Sequence, residues 1–281
     1  TTLSNPFPNG FATAVGSSQG LLSLVGQAVA RIYDRGAAVP YNQQWNFSIQ
    51  RQVASVLIQA AYSGSRGIHL NDGAGFDINQ LRPEVLPLGT ALQALVPNPF
   101  YGVVKNPGVL VGAQVSRGQL LRPYPHFDSL TVFNPAAAAS TYHGFWIKAE
   151  RRFADGFSFL ASYTTSKNLT DGPATQGPVG GHQNVYDRRA DRSLVEEDIA
   201  QRFSGSATWE LPVGRGKRFG SGWGAFQDGV LGGWQLNAIV NMQTGMPLLI
   251  SNSPNTARAL GGTQRPNSKG VSARKSGPVQ Q

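Results

Sequence analysis

The chain has four histidines, His69, His126, His143 and His182, the residue type best suited to bind a metal or move a proton. They stand far apart, without the short ligand spacing of a metal site, so loop and strand-end polar roles are expected for them. Gly214-Arg215-Gly216-Lys217-Arg218 has the look of a phosphate loop. Leu211 nevertheless stands in place of its first glycine and Arg218 in place of its Ser/Thr, so the segment is read as a turn. Gly64-Ser65-Arg66-Gly67 lacks nucleophile-elbow spacing, which leaves Ser65 as a strand-end residue. The acidic group Asp187, Asp191, Glu196, Glu197 and Asp198 has the chemistry to hold a cation or a basic peptide. Arg188, Arg189, Arg192 and Arg202 interleave with it and neutralise it, so a solvated loop face is expected. No catalytic constellation emerges; the expectation is no enzyme, no metal and no cofactor.

Composition narrows the field further. Hydrophobic residues make up 40% of the 281, beside 34 Gly and 18 Pro, which argues against a large dry core. The absence of cysteine excludes disulfides, zinc knuckles and thiol chemistry. A formal charge of +9 raises the question of a polyanionic partner, but the basic residues are dispersed rather than striped, and no nucleic-acid partner is expected. The most apolar run, Gly20 to Ala30, is broken by Ser23, Gly26 and Gln27 and falls short of a spanning helix. The uncharged N-terminus has no basic n-region, so no signal peptide is read there. Thr1 is not an initiator, and the chain is expected to be a processed product or a piece of a longer protein.

The strongest pattern is period-two alternation, the mark of strands with two differently solvated faces. Trp45, Phe47, Ile49 and Val53 oppose Asn46, Ser48, Gln50 and Gln52, with Arg51 the exception on the apolar side. Across Ala54-Ser55, Val56, Ile58, Ala60 and Tyr62 oppose Gln59, Ala61 and Ser63. Phe145, Ile147, Ala149 and Phe153 oppose Lys148, Glu150 and Arg152; beyond Ala154-Asp155-Gly156, Phe157, Phe159, Ala161 and Tyr163 oppose Ser158, Ser162, Thr164 and Ser166. Phe203, Ala207, Trp209 and Leu211 oppose Arg202, Ser204, Ser206, Thr208 and Glu210. Trp234, Leu236, Ala238, Val240 and Met242 oppose Gln235, Asn237, Asn241 and Gln243.

A soluble sandwich would alternate too. Three features favour a membrane wall. Aromatics such as Trp45, Phe153, Phe157, Tyr163, Trp209 and Trp234 gather near the ends of the apolar faces, where interfacial girdles belong. The polar faces are mostly Ser, Thr, Asn and Gln, suited to a wet lumen. Connections alternate between short ones of about 2, 3 and 22 residues and long ones of roughly 75 and 35, as periplasmic turns and extracellular loops do. Within the loops, Ala136 to Ala139 is the one candidate helical turn, and Ser193 with Glu196 has the capping-box spacing of a short helix over Asp191 to Gln201.

Tyr41-Asn42-Gln43-Gln44-Trp45-Asn46-Phe47-Ser48-Ile49-Gln50-Arg51 and Ala61-Tyr62-Ser63-Gly64-Ser65-Arg66-Gly67 resemble paired strands of Oar-like TonB-dependent outer-membrane receptors, abundant in acidobacteria. Gly156-Phe157-Ser158-Phe159, Ala161 through Lys167, Trp209-Glu210-Leu211-Pro212-Val213-Gly214-Arg215-Gly216-Lys217, Gly232-Gly233-Trp234-Gln235-Leu236 and Gln243-Thr244-Gly245-Met246-Pro247 follow in the same order. The resemblance implies a large barrel plugged by an N-terminal domain and energised by a TonB-type coupling protein. Neither plug nor coupling box is seen in this sequence.

The expected fold is thus all-β, an antiparallel up-and-down transmembrane β-barrel, partial, of about six strands with long extracellular loops. Residues 1–40 are expected as an extracellular loop or lead-in segment, 41–245 as a partial barrel of three hairpins with long loops at 70–142 and 167–201, and 246–281 as a loop at the truncated end. The expected role is the barrel portion of a receptor or transporter in the outer membrane, handling an unknown ligand, with outer-membrane lipid, the plug and the coupling protein as partners. Tyr101, Arg122, Tyr124 and Tyr186 are the loop residues expected at ligand, and Lys148, Glu150 and Arg152 those expected in the lumen. The competing reading is a secreted or cell-surface all-β adhesion or carbohydrate-binding protein, with Trp45, Trp209 and Trp234 stacking on sugar; a passive porin is third.

Overall fold

A computed structural model describes residues 2–8, 10, 16–73, 75–104, 108–172, 182–248, 250, 252 and 264–266. The strands are, in chain order, β1 (Val29–Ile32), β2 (Tyr41–Val53), β3 (Val56–Asn71), β4 (Phe76–Asp77), β5 (Leu95–Pro97) and β6 (Gln114–Ser116), then β7 (Leu130–Val132), β8 (Ala136–Ala154), β9 (Phe157–Thr170), β10 (Ser193–Leu194), β11 (Gln201–Glu210) and β12 (Gln235–Gln243). Two short α-helices, α1 (Arg117–Leu120) and α2 (Ala225–Leu231), lie in connections. The main sheet runs β12-β11-β9-β8-β3-β2, with β10 added beside β9. Every pairing in it is antiparallel.

Register shows why the alternation exists. Ile49 pairs with Ala60, Ala60 with Ile147, Ile147 with Tyr163 and Tyr163 with Phe203. Met242 lies opposite Phe203, so one apolar row crosses the whole sheet. One residue over, Gln59, Lys148, Ser162, Ser204 and Asn241 form the matching polar row. A slip of one residue in any pair would turn an entire apolar set to the wrong side, so the pattern fixes the register. Phe47 and Ile49 are 69% and 63% exposed, a patch that water does not tolerate on a monomer and that lipid covers. The sheet is an open wall: β2 and β12 are its two edges and do not pair with each other. Lipid demands that edge N–H and C=O groups be satisfied, which takes further strands.

The turns follow from local chemistry. Asp155 and Gly156 both have positive φ, 51° and 77°, between the paired residues Ala154 and Phe157. That is the mirror-image two-residue turn whose twist matches a hairpin. The β2–β3 turn places Ala54 at φ 51° between the paired Val53 and Val56. Close to the loop end the Trp45 ring lies across Gly64, leaving no room for a Cβ there. Gly64→Ala is therefore expected to cost about 1–3 kcal/mol through overpacking. A fall in unfolding midpoint with a change in Trp45 fluorescence will show it; an unchanged midpoint would mean the ring does not need that gap.

Several local expectations are corrected. Ala136 to Ala139 is not a helical turn but the start of β8, paired with the end of β3. The Asp191 to Gln201 stretch holds no α-helix: Asp191 ends a 3-10 turn (Arg188–Asp191), and Ser193–Leu194 adds to β9, whose ladder offers these backbone groups partners. The Pro212 to Gly233 connection includes α2. Between Arg151 and Ala154, β8 has an extra residue relative to β9. This shift breaks the alternation that grouped Phe153 with Ile147, and Ala154 is the residue opposite Phe157. On the polar side the sequence reading missed an apolar strip, Leu57, Leu160 and Ile239, beside Glu150 and Ser206.

The long connection between β3 and β8 folds into a cap. It contains β4 to β7 and α1, with β1 lying parallel to β7. Its apolar residues form small clusters: Val29, Phe127 and Leu130; Leu81 and Leu92; Val104, Leu110 and Val115. Among the described residues these clusters hold most of the buried apolar core, to which the wall strands add only Ala61 and Ala138. Of the end segment 246–281, only residues 246–248, 250, 252 and 264–266 are described, so its expected loop lies mostly outside the described residues.

Candidate functional site

The polar side of the wall carries the lumen candidates. Lys148 and Glu150 point from β8 to the same side and pair at 2.8 Å, each about one-third exposed. They border an open depression of about 410 Å³ with Ser158, Leu160, Ser206 and Thr208. Nearby, Thr208 donates to Asn237 Oδ1 at 2.8 Å, and Ser204 donates to Asn241 Oδ1. The result is a wall of hydroxyls and amides around one ion pair. Arg152, expected beside them, falls within the irregular stretch of β8.

Asn79 and Gln80, fully or nearly buried in the cap, organise three of the four loop candidates. The Asn79 amide donates to the carbonyls of Tyr124 and Phe127 at 3.0 and 2.9 Å, and the Tyr124 N–H donates back to Asn79 Oδ1 at 2.8 Å. Arg122 donates to the carbonyls of Asp128 and Asn79 at 2.7 and 3.2 Å and approaches Asp77 at 3.5 Å. Its guanidinium is thus engaged in folding the cap. Arg122 also borders a cavity of about 480 Å³ with Leu81, Leu92, Leu95, Ser116 and Gln119. Gln80 donates to Asn184 at 2.8 Å and accepts from the Val185 N–H at 2.9 Å, while the Tyr186 hydroxyl donates to the Gln80 carbonyl at 3.1 Å. Tyr124 and Tyr186 stay 44% and 47% exposed, so their rings remain available to a ligand. Tyr101, 62% exposed, sits apart, on a turn closed by its N–H donating to the Asn98 carbonyl at 3.1 Å.

The loop between β9 and β11 is bolted to this cap by a buried charged network. His182 lies between Asp72, just beyond β3, and Asp191, all three 3% exposed or less. Its Nδ1 meets Asp191 at 2.7 Å and its Nε2 meets Asp72. Both ring nitrogens face carboxylates, so both hydrogen bonds form only when the imidazole carries two protons. Burial pulls the His182 pKa down, but hydrogen bonds to Asp191 and Asp72 outweigh it and raise it from 6.5 to about 9. Burial pushes Asp191 up, and the His182 and Arg265 hydrogen bonds overcome this and hold it below 3.8. Arg265 closes the network on Asp191, and its N–H donates to Gln183 Oε1 at 2.9 Å. Among the described residues, Asp72 Oδ1 has no hydrogen-bond partner.

None of this was legible locally. His182 and Asp72 are 110 positions apart, and nothing in either neighbourhood marks them as partners. Asp191 and Asp198, read as part of a solvated acidic face, both turn inward; Asp198 accepts from the Asn168 N–H at 2.8 Å. The nine-residue spacing of His182 and Asp191 was the one available hint.

Apart from Phe153, which falls in the irregular stretch of β8, the aromatic candidates fall on the side of the wall opposite Lys148. Trp45 lies near His143 and Tyr62, whose hydroxyl is 2.7 Å from His143 Nδ1. Tyr163 faces Phe203, two residues into β11. Phe157 and Trp209 pair near the turn end, and Trp234, just before β12, donates its indole N–H to the Val230 carbonyl at 3.0 Å.

An open antiparallel wall with one apolar and one polar side, short turns at one end and a folded cap at the other is the arrangement of an outer-membrane barrel. Neither the curated proteins nor the solved structures yielded a match to the chain. A family model described as an outer membrane beta barrel domain matches residues 1–281, and the chain belongs to that family of the outer membrane.

Proposed function

We propose that the chain is the ligand-handling part of a TonB-dependent receptor barrel, with its cap capturing a solute and its polar wall lining the solute's path. The observation that carries this reading is the cap itself. Here Asn79 and Gln80 hold Tyr124 and Tyr186 in place above a wall bearing the Lys148–Glu150 pair. Exposed aromatic rings on a rigid base bind ligands at low entropic cost. The strand motifs that resemble the Oar-like receptors support the same reading, and a plug and a TonB-type coupling protein are the partners it requires.

The test is uptake of a panel of labelled iron chelates, oligosaccharides and peptides by the host. At least one solute should enter only when this gene is intact, and its uptake should stop when the proton-motive force is collapsed. Gene-dependent uptake that continues without the proton-motive force would identify a passive channel and overturn the coupled reading.

A further inference from the structure

The lipid-facing side of the wall is apolar or small along its middle rows, with two exceptions near the turns, Arg51 on β2 and Arg151 on β8. Arg51 pairs with Ile58, whose other neighbour is Ala149; Arg151 pairs with Val56 and with Phe159. Both arginines therefore share the face of Phe47, Ile58 and Phe159, and they flank β3 from either side. Two strand spacings and two residues of rise separate their Cα atoms by roughly 12 Å. Two long arginine side chains can converge across that gap on one bound group.

Their surroundings do not neutralise them. Among the described residues, Arg51 has no ion-pair or hydrogen-bond partner. Arg151 donates to the neutral Ala154 carbonyl at 3.2 Å and meets Asp155 at 3.1 Å, but that carboxylate is 91% exposed, and such a pair is worth little. The Arg151 guanidinium also lies over the Phe157 ring at 5.7 Å, which holds it at the aromatic girdle rather than in water. Charge on the lipid face is costly at mid-membrane and tolerated only close to the headgroups, which sets the level of these two residues. The connection carrying Arg215 and Arg218 hangs from the same end of the wall and adds positive potential there, while its Lys217 is paired with Glu210 at 3.2 Å.

We infer that Arg51 and Arg151 form a docking site for the phosphodiester headgroup of an acidic phospholipid in the periplasmic leaflet, with its acyl chains lying along β3 over Ile58 and Ala60. Guanidinium groups match phosphate oxygens in geometry as well as charge. An acidic lipid is favoured over a zwitterionic one because it supplies a net negative charge to two cations, one without an ion-pair partner among the described residues and one paired only with a solvent-exposed carboxylate.

Lipid retention by the protein in micelles, read by native mass spectrometry, tests this with phosphatidylglycerol and phosphatidylcholine as probes. The wild-type protein should retain phosphatidylglycerol preferentially. Arg51→Gln and Arg151→Gln should each weaken that retention about fivefold, and together about thirtyfold. Arg202→Gln, which removes one charge from the polar side, should leave it unchanged. Equal retention of both lipids by the wild type, or an equal loss on Arg202→Gln, would overturn the site, and neither result depends on the double variant folding. Displacement of the lipid by inorganic phosphate alone would likewise overturn it in favour of a soluble-anion site.

Discussion

Replacing His182 with alanine will release the cap from the loop that follows β9. Asp72 and Asp191 lie fully buried on either side of the ring, and removing it leaves Asp191 paired with Arg265 and Asp72 without an ion-pair partner among the described residues. Breaking a buried pair by deleting one partner costs about 3–5 kcal/mol, because the remaining charge keeps its desolvation penalty. The loss is local, since the wall's ladders do not pass through this network. Hydrogen exchange should therefore accelerate in residues 72–135 and 182–200 while the β8–β9 ladder stays protected. Equal protection in variant and wild type would show that the network does not hold the loops.

The same network predicts a pH window in the wild type. His182 has a folded-state pKa raised from 6.5 to about 9, so its contribution is complete below 6.5 and disappears as pH rises through about 9. Asp191 is held below 3.8, so its contribution is complete above that value and disappears as pH falls through its lowered pKa. Cap protection should thus be flat between pH 3.8 and 6.5, decline progressively as pH rises from 6.5 to about 9, and fall again as pH drops below 3.8. The alkaline loss is worth up to about 3 kcal/mol, and it should vanish in His182→Ala, which has no imidazole to deprotonate.

The second large effect separates the two sides of the wall. Ala161 lies opposite Ala149 and Gly205 on the apolar side, and Ser206 opposite Leu160 and Ile239 on the polar side. In phospholipid vesicles Ala161→Arg should lose about 2–4 kcal/mol, since a guanidinium near mid-membrane has no partner there. Ser206→Arg should stay within about 1 kcal/mol, because its side chain enters the open depression that Glu150 borders. Unfolding midpoints of the two variants decide the matter. Equal losses, or a larger loss for Ser206→Arg, would mean that the wall has been assigned inside out.

How much of this was readable in sequence depends on the range of the interaction. Alternation reports which residues share a side of the sheet, and Trp45, Ile147, Phe159 and Trp209 fall on one side because each pair's register carries the pattern to the next strand. Asp155-Gly156 specified its turn because only those two φ values had to be satisfied locally. Phe153 was misplaced because one extra residue in β8 defeats a count of two, and a bulge leaves no mark in composition.

The sequence by itself determined a membrane wall: its two sides, its short turns and the strand order that follows from antiparallel neighbours. Only the tertiary structure decided what the long connections do. Their residues are polar, aperiodic and rich in Gly and Pro, so nothing local distinguishes a solvated loop from a folded cap. The difference lies in contacts between distant residues, His182 with Asp72 and Asp191, Gln80 with Asn184 and Tyr186, and Asn79 with Tyr124. Buried polar groups must find partners wherever the chain brings them, and for these residues the partners come from other segments.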